Sequence, residues 1–351
     1  MRDLGTKYAF GKNKNGEEVS KYVIGNGCDM QVTFTDLGAA VTSILLRDKK
    51  GEEYEVALSY DDPLLYESET TYFGAVVAPY ANRIAEGKYE IDGVSYELDI
   101  NNGPNNLHSG CNGLAKKIWK VTEHTNEKIV FAFQVKDMEF GFPGNVEYQV
   151  SYEVTADREL VISYLALPDK KTAINITNHT YFNLNGATTG SVEKHTLWIK
   201  ADAFTPVRDA NAIPTGEDMP VEGTPFDFRV AKKIGRDIEN DFEQLNFGQG
   251  YDHNFVLAKE TDGLEKIATV WGDISGIQMD VWTDCIGVQL YTGNFLNGDL
   301  GPDGHHYVRR GGLCLETQYY PNSINEPNFV TPVTEAGCKY ESKTIYAFCM
   351  E

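Results

Sequence analysis

Glu316 and His179 are the two side chains of this 351-residue chain best suited to exchange protons with a small molecule. Glu316 lies in Leu313-Cys314-Leu315-Glu316-Thr317-Gln318. Strand alternation there sets Leu313, Leu315 and Thr317 on one face and Cys314, Glu316 and Gln318 on the other. A carboxylate in so apolar a strand loses water, and desolvation raises its proton affinity toward the range of a general base. The competing reading is a Glu on the outer face of an edge strand. His179 follows the alternating run Ile174 to Thr177 and precedes Asn183-Leu184-Asn185-Gly186, turn chemistry that sets the imidazole near a strand end. Histidine gives or takes a proton at neutral pH. The competing reading is a hydrogen-bonded core histidine.

Around this pair stand residues suited to hydroxyl groups. Asn82 and Arg83 fall between Pro79-Tyr80 and a turn at Gly87, and Arg offers a planar fork of donors. His108 follows Asn101-Asn102-Gly103-Pro104-Asn105-Asn106, a loop of turn residues expected outside the core. Asp252 and His253 are adjacent on an expected strand, so only one faces any site. Gln289, within Gly287 to Asn294, is a further neutral hydrogen-bonding candidate. His305-His306 beside Arg309-Arg310 read as a solvated loop, and His124 and His195 as exposed positions. No metal-ligand spacing, G-x-G-x-x-G or P-loop occurs, so the expectation is chemistry without metal or cofactor.

The elements that must position these residues are strands. Val146, Tyr148, Val150, Tyr152 and Val154 alternate with polar residues, as do Ile129, Phe131, Phe133 and Val135, and Thr344, Tyr346 and Phe348. Asp92-Gly93 between Tyr89–Ile91 and Val94–Leu98 suits a type I′ hairpin. Helix-like stretches are short, the segment from Ala231 to Asn240 among them. The 33 glycines and 13 prolines mark no linker. These features predict one all-β domain over 1–351, a large antiparallel β-sandwich of two packed sheets.

Composition narrows the partners. A formal net charge of −21 opposes nucleic acid and anionic membranes and disfavours phosphorylated substrates, while a neutral one is indifferent to that field. No apolar run is long enough to span a bilayer. The start, Met1 to Gly5, lacks a secretory pattern, and six cysteines without CxxC spacing read as free thiols. The expected location is the cytoplasm, with oligomeric state left open.

Taken together, the chain resembles the aldose 1-epimerases, or galactose mutarotases. The resemblance rests on Pro79-Tyr80-Ala81-Asn82-Arg83-Ile84, Asn101 to His108, Thr177 to Leu184, Gly223 to Arg229, Gly250 to Phe255, Val288 to Phe295, and Cys314-Leu315-Glu316-Thr317-Gln318 with Pro321 and Asn322. They run in family order over most of the chain. The resemblance implies a galactose mutarotase-like supersandwich with a sugar in an open cleft. It makes Glu316 the general base, His179 the general acid, and His108 a second histidine near the ring oxygen and C1. Asn82, Arg83, Asp252 and Gln289 would hold the hydroxyls. Three positions depart from the family pattern: Ser109, since Ser109-Gly110 follows His108 where the family usually has two glycines, Asn322 where Asp is common, and Pro79, since Pro79-Tyr80 stands where Arg-Tyr is frequent.

The implied reaction interconverts the α and β anomers of a free monosaccharide such as galactose or glucose. One group takes the C1 hydroxyl proton while another protonates the ring oxygen, and closure on the other face reverses both transfers. Two rivals remain at this level. A glycoside hydrolase would need two carboxylates, which Asp252 and Glu316 could supply, and a non-catalytic sugar-binding module would need no acid–base pair.

Overall fold

The alternating segments form a nine-stranded antiparallel sheet in the computed structural model, which describes residues 2–350. Its order is Lys120–His124, Lys128–Val135, Val146–Val154, Glu159–Pro168, Tyr340–Cys349, Gln278–Thr283, Glu265–Trp271, Thr196–Ile199 and Lys232–Lys233. The register places Phe131, Val150 and Tyr164 in one cross-strand row and Ile129, Tyr152 and Ile162 in the next. The two-residue period thus collects the large apolar side chains on one buried face. Each such Val, Ile or Phe contributes roughly 1.5–3 kcal/mol by leaving water.

Two five-stranded antiparallel sheets pack against that face, where the sequence predicted one. The first runs Lys7–Lys12, Glu18–Gly25, Met30–Thr35, Ala40–Arg47 and Glu53–Glu55. Its Phe34 ring lies 4.5 Å from that of Tyr152. The second runs Met219–Pro220, Ala201–Phe204, Asp252–Leu257, Gly287–Tyr291 and Cys314–Gln318. Tyr346 of the large sheet donates its hydroxyl to the Leu315 carbonyl at 2.9 Å. Strands far apart in sequence pair within each layer, and alternation alone cannot say where one sheet ends. The Asp92-Gly93 turn is as predicted: both residues are left-handed, at φ 51° and 80°, between Lys88–Ile91 and Val94–Glu97.

Two local expectations fail. Residues 231–240 hold a short strand, Lys232–Lys233, and one 3₁₀ turn, Ile234–Arg236. Their backbone is captured by pairing with Thr196 and Leu197, and Lys232 is pulled inward to Asp237 at 2.7 Å and to the Pro225 carbonyl. The α-helices lie elsewhere, at Pro63–Ser68, capped by Asp62, and at Glu243–Gly248. His195 is fully buried rather than exposed, its Nε2 accepting from the Leu184 amide at 3.0 Å with Asp273 3.5 Å from Nδ1. Burial pushes its pKa down to about 4. His124 is half-buried, with Nε2 3.2 Å from the Val23 carbonyl.

Candidate active site

The second five-stranded sheet turns its outer face toward a cavity. Antiparallel register aligns Asp252 with Tyr291 and Cys314, and in the next outward row Asn254 with Gln289 and Glu316. The intervening row, His253, Leu290 and Leu315, points into the core, where the His253 ring meets Phe226 at 4.8 Å. Of the adjacent pair, Asp252 is therefore the one at the site.

His179 reaches the same place from a different segment. Thr177–Asn178 pairs with Val76–Val77. The His179 backbone is then clamped by its N–H to the Ala75 carbonyl at 2.9 Å and by the Gly74 N–H to its own carbonyl at 3.0 Å. Its Nε2 lies 3.7 Å from Glu316 Oε2, both side chains almost wholly buried. Tyr181, two residues on, stacks beside the imidazole at 5.1 Å, and Tyr72 does so at 5.9 Å.

His108 comes in on a third segment. Asn106–Leu107 pairs with Arg83–Ile84, and the Asn82 N–H donates to His108 Nδ1 at 3.1 Å. Far from lying outside the core, Asn105, Asn106 and His108 are all buried, because this pairing presses the loop against the sheet. The chain stays left-handed through His108, Ser109 and Gly110, at φ 54°, 64° and 87°. Glycine takes that conformation without strain. Ser109 offsets its strain by accepting from the Tyr80 N–H at 2.8 Å and donating to the Tyr80 carbonyl at 3.1 Å. Asn322, also left-handed, accepts from the Ala85 N–H at 2.9 Å, while its own N–H holds the Arg83 carbonyl. Both departures from the family pattern support the backbone beneath Asn82 and Arg83.

These segments enclose a cavity of about 360 Å³ whose walls include Asn82, Arg83, His108, His179, Asp252 and Glu316. Gln289 does not reach the wall. It stands behind Asp252, donating Nε2 to Oδ1 at 2.7 Å. Arg83 Nε donates to Asn102 Oδ1 at 3.0 Å, with Nη2 3.9 Å from Asp252 Oδ2. This double engagement of Asp252 also weakens the glycosidase reading, which needs it as a free second carboxylate. Tyr72, Tyr181, Tyr291, Phe295 and Asp299 also line the wall and were not among the candidates. Alternation from His179 to Tyr181 could have found one of them; nothing in the sequence points to Tyr72.

Burial dominates the electrostatics. It pushes the Glu316 carboxyl well above its usual range, with nearby Asp252 adding to the rise and Arg83 opposing it. Burial pushes His179 down to about 4, against smaller opposing effects of its own carbonyl and Asp252. His108 is driven well below its ordinary value by burial and then by the positive charges of His179, Arg83 and Lys116. No protein donor among the described residues reaches Glu316 Oε2. Buried carboxylate oxygens are rarely left so, and functional sites are where exceptions collect.

His108, His179 and Glu316 bring ring nitrogens and a carboxylate oxygen within 4.8 Å of one another, a grouping that sequence spacing did not reveal. The hydrogen bonding at His108 argues against that ring serving as a metal ligand. Because the Asn82 N–H points at His108 Nδ1, the neutral ring carries its proton on Nε2, toward the cavity, as a donor and not a ligand. Metal-binding histidines show the reverse, donating the outer N–H to an acceptor. Exhaustive dialysis against EDTA should accordingly leave the activity of this site unchanged; loss restored by one divalent ion would overturn this.

The fold and cavity thus define an antiparallel β-sandwich with a small polar cavity in which a buried carboxyl and a buried imidazole stand among hydrogen-bonding side chains. Residues 20–347 match the model of the aldose 1-epimerase family. The galactose mutarotase of Sus scrofa is 38% identical over 98% of both chains. The aldose 1-epimerase of Escherichia coli K12 is 36% identical over 96% of this chain and 97% of its own. A crystal structure of an aldose epimerase homologue from C. elegans superposes with a TM-score of 0.87 at 28% identity, covering 95% of this chain and 99% of that one. The chain belongs to the aldose 1-epimerase family.

Proposed function

We propose that Glu316 and His179 carry out the mutarotase reaction on free hexoses, with Glu316 as general base and His179 as general acid. The observation that carries this assignment is the 3.7 Å approach of a buried imidazole to a buried carboxylate in a cavity otherwise lined by hydroxyl-binding groups. Glu316 takes the C1 hydroxyl proton as His179 Nε2 protonates the ring oxygen. The C1–ring-oxygen bond breaks, leaving an aldehyde at C1 and a hydroxyl at C5. Rotation about C1–C2 presents the other face, and both proton transfers reverse on closure.

Charge accounts for why this pair suits the reaction. Before ring opening the pair is carboxylate and imidazolium; afterwards it is carboxylic acid and imidazole. Both hold one proton, and burial favours the neutral form. The same desolvation that lifts Glu316 and depresses His179 therefore stabilises the open-chain intermediate relative to the charged pair. His108, donating Nε2–H, would hold the ring oxygen or C1 hydroxyl, and Asn82, Arg83 and Asp252 the remaining hydroxyls, with Gln289 fixing Asp252.

The test is polarimetry of freshly dissolved α-galactose and α-glucose. Rotation should relax faster with the protein than in buffer, while nitrophenyl galactoside should release no phenol. Failure to accelerate relaxation would leave only a sugar-binding module.

The substrate class follows from charge. Arg83 is the one cation on the cavity wall among the described residues, and it is engaged by Asn102 and Asp252. Arg309 and Arg310 are turned instead to Glu239 and the Gln249 carbonyl. Three carboxylates, Asp252, Asp299 and Glu316, line the same space. Glucose 6-phosphate and galactose 6-phosphate should therefore be poor substrates beside the free sugars, with galactose turned over at least as well as glucose. A kcat/KM for glucose 6-phosphate above that of both free sugars would overturn this expectation.

Among the described residues no helix is long and apolar enough to cross a membrane. The six cysteines are all free, which supports a reducing compartment such as the cytoplasm.

A further inference from the structure

His179 touches the strand Cys314–Gln318 twice. Nε2 faces Glu316 Oε2 at 3.7 Å, and Nδ1 lies 3.6 Å from the sulfur of Cys314, two residues earlier on the same face. One imidazole thus bridges the side chains at alternate positions of a single strand. The reaction described above uses only Nε2. The ring gives its proton from Nε2 and must present an unprotonated Nε2 to take it back. Its other proton has to stay on Nδ1 through the whole cycle, although a neutral imidazole could equally carry its proton on Nε2.

A histidine and a cysteine in contact first suggest a nucleophilic thiolate. The setting is wrong for that. Cys314 is fully buried and does not line the cavity. Burial, and then the carboxylates of Glu316 and Asp252, push its thiol well above the usual range. It remains a neutral thiol, whose sulfur is a weak acceptor.

Resting on the acid–base assignment of Glu316 and His179, we propose that Cys314 is a positioning residue: its sulfur accepts the Nδ1–H of His179 and so keeps the exchanging proton on Nε2. The ring's own carbonyl is the other acceptor beside it, and that oxygen already takes the Gly74 N–H. Choosing sulfur over a carboxylate has a consequence. A carboxylate at Nδ1 would stabilise the imidazolium and make His179 a weaker acid, whereas a thiol orients the ring while leaving its proton easy to give up. The other titratable groups facing the ring are Glu316 from the same strand, His108, Tyr72, Tyr181 and Tyr291 from neighbouring segments, and Asp252 at longer range. None of them contacts Nδ1.

The test compares Cys314→Ala with Cys314→Ser in the full chain, with thermal melts confirming that both fold. Ala removes the acceptor, so kcat for galactose should fall about five- to tenfold with KM within twofold. The acid limb of kcat should move to lower pH, because a group favouring the charged ring is gone. Ser supplies a comparable acceptor and should restore kcat to within about threefold of the parent. Independently of activity, ¹⁵N NMR of the His179 ring should show Nδ1 protonated in the parent and in Ser, with population moving to the Nε2–H tautomer in Ala. An unchanged tautomer in Ala, or Ala with the parent's kcat and pH profile, would overturn the inference. A parent that does not accelerate mutarotation would instead sink the assignment of function, and the tautomer measurement would still decide the role of Cys314.

Discussion

Glu316→Gln will bind galactose but lower kcat by about 10²–10⁴, the usual worth of one positioned proton transfer. The amide keeps the size of the carboxylate and its hydrogen-bonding capacity, so the Cys314–Gln318 strand and its pairing with Gly287–Tyr291 have no reason to move. What it loses is the site proposed to take the C1 hydroxyl proton. The parent pays for that site by burying a carboxyl whose Oε2 has no protein donor. Replacing this buried ionisable group by a neutral amide should therefore leave the folded chain at least as stable, while the chemistry collapses. Loss of activity with preserved or raised thermal stability is the signature of a group kept for function. Polarimetry gives kcat, and calorimetric titration gives galactose affinity. Activity within a few-fold of the parent would remove Glu316 from the role of base.

His179→Asn should lower kcat by a comparable factor, about 10²–10⁴, because Asn has no proton to transfer to the ring oxygen. His108→Asn is the informative partner. Its ring is locked as a donor by the Asn82 N–H and driven far from protonation by burial beside positive neighbours. It is equipped to hold an oxygen and not to give up a proton. Its substitution should act mainly on KM, with a smaller loss in kcat. An inactive His108→Asn beside a mildly affected His179→Asn would show that the two imidazoles have exchanged roles.

Much of the architecture was legible because β-structure writes itself into the sequence with a two-residue period. The segments 128–135, 146–154 and 340–349 became strands of one sheet with their apolar sides inward, and Asp92-Gly93 became the hairpin its φ preferences require. Where the reading failed, the cause was long-range pairing. Residues 231–240 have a composition that permits a helix, but pairing with 196–197 and the pull on Lys232 decide otherwise. His195 was read as exposed from polar neighbours, yet its surroundings come from Leu184 and Asp273.

For the site, the sequence by itself determined the parts. It placed a carboxylate, a histidine and an arginine in segments whose alternation or turn chemistry sets the direction of each, and set Glu316 and Cys314 on the same face of one strand. Only the tertiary structure decided what those parts become. Proton affinities depend on how completely water is removed and on which charges remain nearby, and neither is encoded within a few residues of Glu316 or His179. The Nδ1 partners of the two histidines, the retreat of Gln289 behind Asp252, and the aromatic wall of Tyr72, Tyr181 and Tyr291 all arise where separate segments of the chain meet, 26 residues apart for Asn82 and His108 and 135 for His179 and Cys314. Spacing along the chain fixes which way a side chain leaves its own strand. Which atom it meets is fixed by the packing of the sheets.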